Sequence, residues 1–255
     1  MSDLPPSEPP TPPPSAPAPY APGPTPAAPS VPVPPPASPA DRVRVAWHRR
    51  NESDYIFDFW TAFGWTLLTC GVYGYYVLYQ MVRRSRDHNV RRIELLDAAT
   101  ALAWDQAQSK GLGEELRPAF ERIAPHMAVL RNQTTQFRDP VVWTIISLLT
   151  GGIGHFIIYI LLDGDLITHD HAEGAIESEL STIYTRLGAP VPPPNPARLK
   201  GPHNYVGRIV ATLLTCGIYA VWWQYDIMTE GNRHFRENWA WEDGLAQSVQ
   251  QHIAA

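Results

Sequence analysis

The chain of 255 residues carries 20 Lys and Arg against 25 Asp and Glu, a net charge of −5, and its mean hydropathy is −0.21. This mild negative charge argues against nonspecific binding of nucleic acid through a basic surface. Two cysteines, Cys70 and Cys216, are too few for a disulfide framework and too far apart in sequence for a zinc knuckle.

The first 40 residues contain 18 of the 27 prolines and only two charged side chains, Asp3 and Glu8. Such a composition cannot bury enough apolar surface to offset the entropy of ordering, so residues 1–40 are predicted to be a disordered, partly polyproline II tail. The chain opens without the pattern of a cleavable signal peptide. We therefore expect a cytoplasmic tail, whose proline-rich segments a cytoplasmic protein could recognise.

One hydrophobic motif occurs three times after the tail, as TLLTCGV at 66–72, SLLTGGI at 147–153 and TLLTCGI at 212–218. Aligning the three motifs without gaps also superposes residues eleven positions before and nineteen positions after the central threonine. A chance similarity of seven residues is not expected to extend so far, so the sequence indicates an internal triplication. The repeated positions are Thr69, Cys70, Gly71, Thr150, Gly151, Gly152, Thr215, Cys216 and Gly217.

This repeat sets the predicted domain organisation. The tail is followed by three units that carry the hydrophobic segments 59–82, 141–162 and 205–228, and a proline-rich linker precedes the last unit. The predicted ranges are 1–40 for the tail, 41–111 for unit 1, 112–188 for an amphipathic helix and unit 2, 189–202 for the linker, and 203–255 for unit 3.

Each hydrophobic segment follows a helix-capping residue, which is Asp58, Asp139 or Asn204. About 13 residues, or roughly 20 Å of helix, separate each cap from the glycine of its motif, whereas a hydrocarbon core is about 30 Å thick. Two architectures follow. A helix that continues through the glycine would cross the bilayer, whereas a left-handed glycine cap would produce a hairpin that returns to the same face.

Flanking charge leaves both architectures open, because positive residues favour the cytoplasm. Arginines stand on both sides of segment 1, which favours a hairpin, whereas segment 2 has arginines before it and aspartates after it, which favours a crossing. Segment 3 is ambiguous. The predicted fold class is an all-α integral protein of the cell membrane, plasma or inner, with three repeated helical units, either spans or glycine-broken hairpins.

Amphipathic helices are predicted between and after the hydrophobic segments. Apolar residues recur at helical spacing from Ile176 to Leu187, before Gly188, and from Leu116 to Leu130, where Pro125 should kink or divide the helix. Residues 93–106 and 241–253 occupy the corresponding places after the first and third motifs.

The third unit, TLLTCGIYAVWWQY from Thr212 to Tyr225, resembles the core of a family of bacterial membrane proteins known as domain of unknown function 4234. Unit 1, with LTCGVYGYY, is similar, whereas unit 2 has Gly154 and His155 in place of the aromatic residues. The resemblance covers about half of the chain. It implies a bacterial cell membrane but supplies no activity.

Three equivalent histidines, His88, His169 and His234, lie nineteen residues after the motif threonines. Together they could present three imidazoles to a metal ion. The alternative is a duplicated histidine at each helix end, near the lipid headgroups, that bonds to a carbonyl.

Other features favour structural roles. His155 lies inside a hydrophobic segment and is a candidate intramembrane polar site, although a neutral histidine bonded across helices is the favoured explanation. The acidic and imidazole cluster between Asp163 and His171 is predicted to be a solvated loop. Packing explains Cys70 and Cys216 better than redox chemistry, and the motif threonines are expected to bond back to a carbonyl one turn earlier.

No nucleophile with a base, phosphate-binding loop or catalytic carboxylate pair is evident, so neither an enzyme nor a cofactor is predicted. The leading hypothesis is a noncatalytic membrane-embedded interaction or scaffold protein, in contact with the lipid bilayer and not with nucleic acid. The alternatives are a small transporter or channel component, which would form a homo-oligomer, and a metal-binding membrane protein.

Overall fold

The computed structural model describes residues 37–135, 138–198 and 201–252, and every regular element in these ranges is a helix. The all-α prediction is therefore confirmed for this part of the chain, whereas residues 1–36 of the predicted tail lie outside it. The helices are α1 Pro39–His48, α2 Arg50–Ser53, α3 Phe59–Leu68, α4 Val72–Ser109, α5 Gly113–Thr135, α6 Pro140–Leu149, α7 Ile153–Arg186, α8 Tyr205–Leu214 and α9 Ile218–His252.

The three predicted helix starts are confirmed. The side chains of Asp58, Asp139 and Asn204 each accept a hydrogen bond from a backbone N–H two or three residues later, and they begin α3, α6 and α8. Each cap thus satisfies a donor that the first helical turn cannot satisfy internally.

Each of these helices ends at the repeated motif. Gly71, Gly152 and Gly217 are left-handed, with φ of 92°, 94° and 92°, and the residue before each glycine also has positive φ. The N–H of each glycine donates to the carbonyl five residues earlier, which is the Schellman arrangement of a helix C-terminus. Continuous helices through 59–82, 141–162 and 205–228 were therefore the wrong alternative, because each helix breaks at the glycine as the hairpin alternative predicted. The return of each hairpin to one face of a membrane stays a prediction.

The motif threonines hold both sides of the turn. The hydroxyl of Thr69 donates to the carbonyl of Trp65 at 2.8 Å and accepts from the N–H of Tyr73 at 2.9 Å. Thr150 and Thr215 make the equivalent pairs of bonds. The predicted back-bonding is confirmed, and the same oxygen also caps the helix that follows.

The result is three helical hairpins with unequal arms, α3–α4, α6–α7 and α8–α9. The first arms have 10 residues each, about 15 Å, whereas the second arms have 38, 34 and 35 residues. Arg208 on α8 forms an ion pair with Asp226 on α9 at 2.5 Å, which ties the arms of the third hairpin together. Among the described helices, none combines the length and the apolar character needed to cross a bilayer.

Three of the four amphipathic segments are not separate helices, whereas the segment from Leu116 to Leu130 lies in a helix of its own, α5. Residues 176–186 form the second half of α7, which ends before Gly188 as predicted, and residues 93–106 and 241–252 continue α4 and α9. Pro125 does not divide α5, which runs from Gly113 to Thr135 through two prolines. Sequence periodicity located these faces, but it did not indicate that they extend the second arms of the hairpins.

Two apolar cores lie at different levels of the long helices. The first is built around residues 77–82 of α4, 158–162 of α7 and 223–228 of α9, and the second contains residues from 95–107 of α4, 172–184 of α7 and 241–249 of α9. Each of the three helices carries buried polar side chains in the interval between the two cores. A polar layer therefore separates the two cores.

Gly154 provides a test of the closure of the second hairpin. A Cβ at this position would lie 2.8 Å from Cα of Ser147, whereas a Cβ at Gly64 would meet no heavy atom within 4 Å. We expect Gly154→Ala to lower the free energy of unfolding by about 1–3 kcal/mol, and Gly64→Ala to leave it unchanged or slightly raised. Thermal denaturation of the two variants in detergent checks this, and equal melting temperatures would contradict it.

Candidate metal centre

The polar layer brings together the three histidines that the repeat made equivalent. The rings of His88, His169 and His234 lie 5.3 Å apart, centroid to centroid, in each of the three pairs. All three are buried, with exposed fractions of 2%, 6% and 0%. The long second arms of the hairpins therefore converge at this level, which the sequence could not indicate.

Carboxylates orient two of the rings. Nδ1 of His88 lies 2.9 Å from Oδ1 of Asp54, and Nδ1 of His234 lies 3.1 Å from Oδ1 of Asp170. A carboxylate at Nδ1 fixes that nitrogen as the N–H donor, which leaves Nε2 as an acceptor. The amide nitrogen of Asn238 lies 3.4 Å from Nε2 of His88 and 3.2 Å from Nε2 of His234, so it can donate to either atom. The same carboxylate–histidine arrangement orients histidine ligands in metal sites.

The Nε2 atoms face one another and a fourth group, the carboxylate of Glu173. Its oxygens lie 3.1 Å from Nε2 of His169, 3.4 Å from that of His234 and 3.9 Å from that of His88. Nε2 of His169 is buried and makes no hydrogen bond, although Oε1 of Glu173 lies only 3.1 Å away. One possible ligand atom from each of these four residues lies within 4.8 Å of the other three.

Glu173 and two of the groups that bond to it occupy equivalent positions in the three repeats. Arg92, Glu173 and Asn238 each follow one of the three histidines by four residues and so share its helix face. Nε of Arg92 donates to Glu173 at 2.6 Å, and Nδ2 of Asn238 donates to it at 2.8 Å. The triplicated position thus holds a cation, an anion and an amide that bond to one another.

Carboxylates outnumber guanidinium groups in the network of direct ion pairs. Five carboxylates face three guanidinium groups there, a difference of two negative charges when every carboxylate is ionised; they belong to Asp54, Asp170, Glu173, Glu177 and Glu242. The guanidinium groups belong to Arg91, Arg92 and Arg198. A fourth buried guanidinium, that of Arg84, bonds to two backbone carbonyls and to Asn232.

Burial shifts the pKa values of several side chains in the polar layer. Burial lowers the pKa of His88 to about 3, against the opposing effect of Asp54, and it lowers the pKa of His234 as well. Burial also raises the pKa of Glu177 to about 7 and raises that of Glu242. For Glu173, burial raises the pKa, but Arg92 together with the neighbouring histidines outweighs it and holds the pKa well below its usual value. His88 and His234 are therefore neutral at pH 7, as metal ligands must be, and Glu173 is ionised.

Other predicted site residues lie elsewhere. His155 contacts Tyr75, with ring centroids 5.3 Å apart, near the turn of the first hairpin. The residues from Asp163 to His171 belong to α7, so the predicted solvated loop is wrong, and three of them, Asp163, His169 and Asp170, are buried. The packing role of Cys70 and Cys216 is also wrong, because both side chains are exposed in the turns.

Sequence reasoning missed Glu173, Asp54 and Arg92. Glu173 and Arg92 had a usable signal, since each lies one helical turn beyond a candidate histidine. Asp54 had none, because it precedes the first hairpin and reaches His88 only through the fold.

Comparisons with protein families, curated proteins and solved structures find no match for this chain. The resemblance to the domain of unknown function 4234 family therefore stays a prediction.

Proposed function

We propose that this protein binds one divalent transition-metal ion through His88, His169, His234 and Glu173. The observation that carries the proposal is the convergence of three buried imidazole nitrogens and a buried carboxylate, with two of the imidazoles oriented by carboxylates at Nδ1. The tail on which the interaction hypothesis depends lies outside the described residues.

Charge supports a divalent ion in particular. A buried charge without a counterion lowers the stability of the folded state. Even paired buried charges often stabilise a fold less than apolar residues of similar size would. The directly bonded network carries two more carboxylates than guanidinium groups. A bound dication would neutralise this excess.

The ligand set favours Zn²⁺ and the ions related to it. Imidazole is a common ligand of zinc, iron, copper and nickel ions. A carboxylate ligand is common for zinc and iron, whereas Cu⁺ prefers thiolate ligands. Both cysteines are exposed in the hairpin turns, apart from the histidine layer. Zn²⁺ is therefore the first probe, and Co²⁺ its spectroscopic substitute.

Metal titration of the full-length, detergent-purified protein tests the proposal. We expect one Zn²⁺ per chain by isothermal titration, with a rise in melting temperature because the ion binds only the folded state. His169→Gln should weaken the affinity by more than the roughly 10- to 100-fold typical of removing a group that only orients a ligand.

His171→Ala is the matched control, since His171 is exposed on the same helix only two residues away. It should bind Zn²⁺ like the unmodified protein, and far-UV circular dichroism should show that both variants are folded. Failure of the unmodified protein to bind Zn²⁺ or Co²⁺, or equal binding by His169→Gln, would remove the proposal.

We further propose that the hairpin turns insert into one leaflet of a lipid bilayer. In the repeated motifs, nine equivalent apolar side chains are 58–79% exposed. They are Leu67, Leu68, Val72, Leu148, Leu149, Ile153, Leu213, Leu214 and Ile218. A monomeric soluble surface rarely presents such a set.

The backbone of the turns also suits lipid. Every backbone N–H of residues 69–74, 150–155 and 215–220 donates to a carbonyl or to a motif threonine hydroxyl. Unsatisfied donors are excluded from hydrocarbon, because no water is there to accept from them. The short arms of about 15 Å match half of a hydrocarbon core of about 30 Å, so insertion into one leaflet is the favoured form of membrane contact.

A further inference from the structure

A small cavity lies beside the histidine layer. Its volume is about 30 Å³, and its walls include His88, His169, Ser85 and Gln133, with Leu166 on the apolar side. A cavity of this size holds a water molecule or a ligand of a few atoms, since one water needs roughly 10–15 Å³ of such space.

The cavity and Glu173 lie on opposite sides of the histidine layer. Ser85 precedes His88, and Leu166 precedes His169, by three residues, so both lie toward the hairpin turns. Glu173 follows His169 by four residues and lies toward the other end of the helix. A metal held by the three imidazoles and Glu173 would therefore have the cavity on its remaining side.

One polar wall of the cavity has an unused acceptor. The amide nitrogen of Gln133 donates to the carbonyl of Asp165 at 3.0 Å, which fixes the orientation of the amide, and Oε1 is buried and makes no hydrogen bond. A buried acceptor of this kind usually has a donor. A ligand that carries an O–H group would supply it.

We infer that the cavity holds an exchangeable water or hydroxide ligand of the metal ion, which donates a hydrogen bond to Oε1 of Gln133. The inference rests on the proposed metal centre. It assigns the centre to the open kind, in which protein ligands leave one position for solvent or a small anion, and not to the closed kind with a purely structural metal.

Azide binding to the Co²⁺-loaded, full-length protein tests this inference. Azide competes with water for an open position, and the visible absorption bands of Co²⁺ should shift when it binds. Ser85→Val narrows the cavity and should weaken azide binding at least tenfold while one Co²⁺ per chain is retained. Ser109→Val, an exposed substitution near the end of the same helix, should change neither quantity.

Gln133→Met should act in the opposite direction. It removes the acceptor for water but takes nothing from azide, which has no proton to donate, so the apparent azide affinity should rise roughly three- to tenfold. The inference would be overturned if azide left the spectrum of bound Co²⁺ unchanged, or if the variants at Ser85 and Gln133 bound azide like the unmodified protein. Either result would leave the proposal of a metal centre intact. A protein that binds no Co²⁺ would remove both.

Discussion

Replacing Arg92 with methionine is expected to lower the free energy of unfolding of the metal-free protein by about 3–5 kcal/mol, the cost typical of removing one partner of a buried ion pair. The guanidinium of Arg92 is fully buried and bonds to Glu173, Glu177 and Glu242. Without it, Glu173 would have no guanidinium partner inside the buried polar layer, and Glu177 and Glu242 would each keep only one, Arg198 and Arg91. Thermal denaturation followed by circular dichroism measures the loss.

Arg122→Met is the matched control. Arg122 also pairs with a glutamate on α7, Glu179, at 2.6 Å, but its side chain is 57% exposed. Exposed pairs contribute about 1 kcal/mol or less, so this variant should melt close to the unmodified protein. Equal melting temperatures for the two arginine variants would contradict the view that the polar layer depends on Arg92.

Neutralising the carboxylates provides a second check. Glu177→Gln and Glu242→Gln, introduced together into Arg92→Met, should recover part of the lost stability because they remove two buried negative charges that Arg92 no longer offsets. Saturating Zn²⁺ should also raise the melting temperature of Arg92→Met by more than that of the unmodified protein, since the ion would supply positive charge to Glu173. A larger loss in the triple variant would indicate that the ion pairs of Glu177 with Arg198 and of Glu242 with Arg91 outweigh this repulsion.

The sequence predicted those parts of the fold that depend on local chemistry. The caps at Asp58, Asp139 and Asn204 and the threonine back-bonds lie within one or two turns of the residues they serve. The choice at the glycines stayed open, because glycine in a hydrophobic run is compatible with both a continuous helix and a left-handed cap. The backbone conformation of the folded hairpin, in which these glycines have positive φ, distinguishes the two.

The site divides in the same way. Gap-free alignment identified the three histidines because they are identical, but it passed over Arg92, Glu173 and Asn238 because equivalent positions there carry complementary side chains and not the same one. Asp54 precedes the first hairpin and has no repeated counterpart, so only tertiary structure places it at His88. The three units therefore share the histidines and differ in the charged and polar side chains around them.

Placing aspartate in the hairpin turns is expected to have a similarly large effect on membrane binding. Leu149 and Leu214 are each 79% exposed and make no part of either apolar core. Removing both from lipid forfeits about 2 kcal/mol per side chain, so Leu149→Asp with Leu214→Asp should weaken partitioning into phosphatidylcholine vesicles about a thousandfold. The aspartates add a further penalty in hydrocarbon. Flotation of vesicles with the reconstituted full-length protein measures the partitioning.

The matched control is the double variant Val45→Asp and Val90→Asp, since both valines are exposed apolar residues of α1 and α4 away from the turns. Both double variants should keep the unmodified helix content, because the substituted side chains are exposed. The native cysteines report depth: a fluorophore on Cys70 or Cys216 should be quenched most by lipids labelled near the bilayer centre. Strongest quenching by labels at the headgroups, or equal vesicle binding by the two double variants, would mean that the exposed leucines meet another protein surface instead of a leaflet.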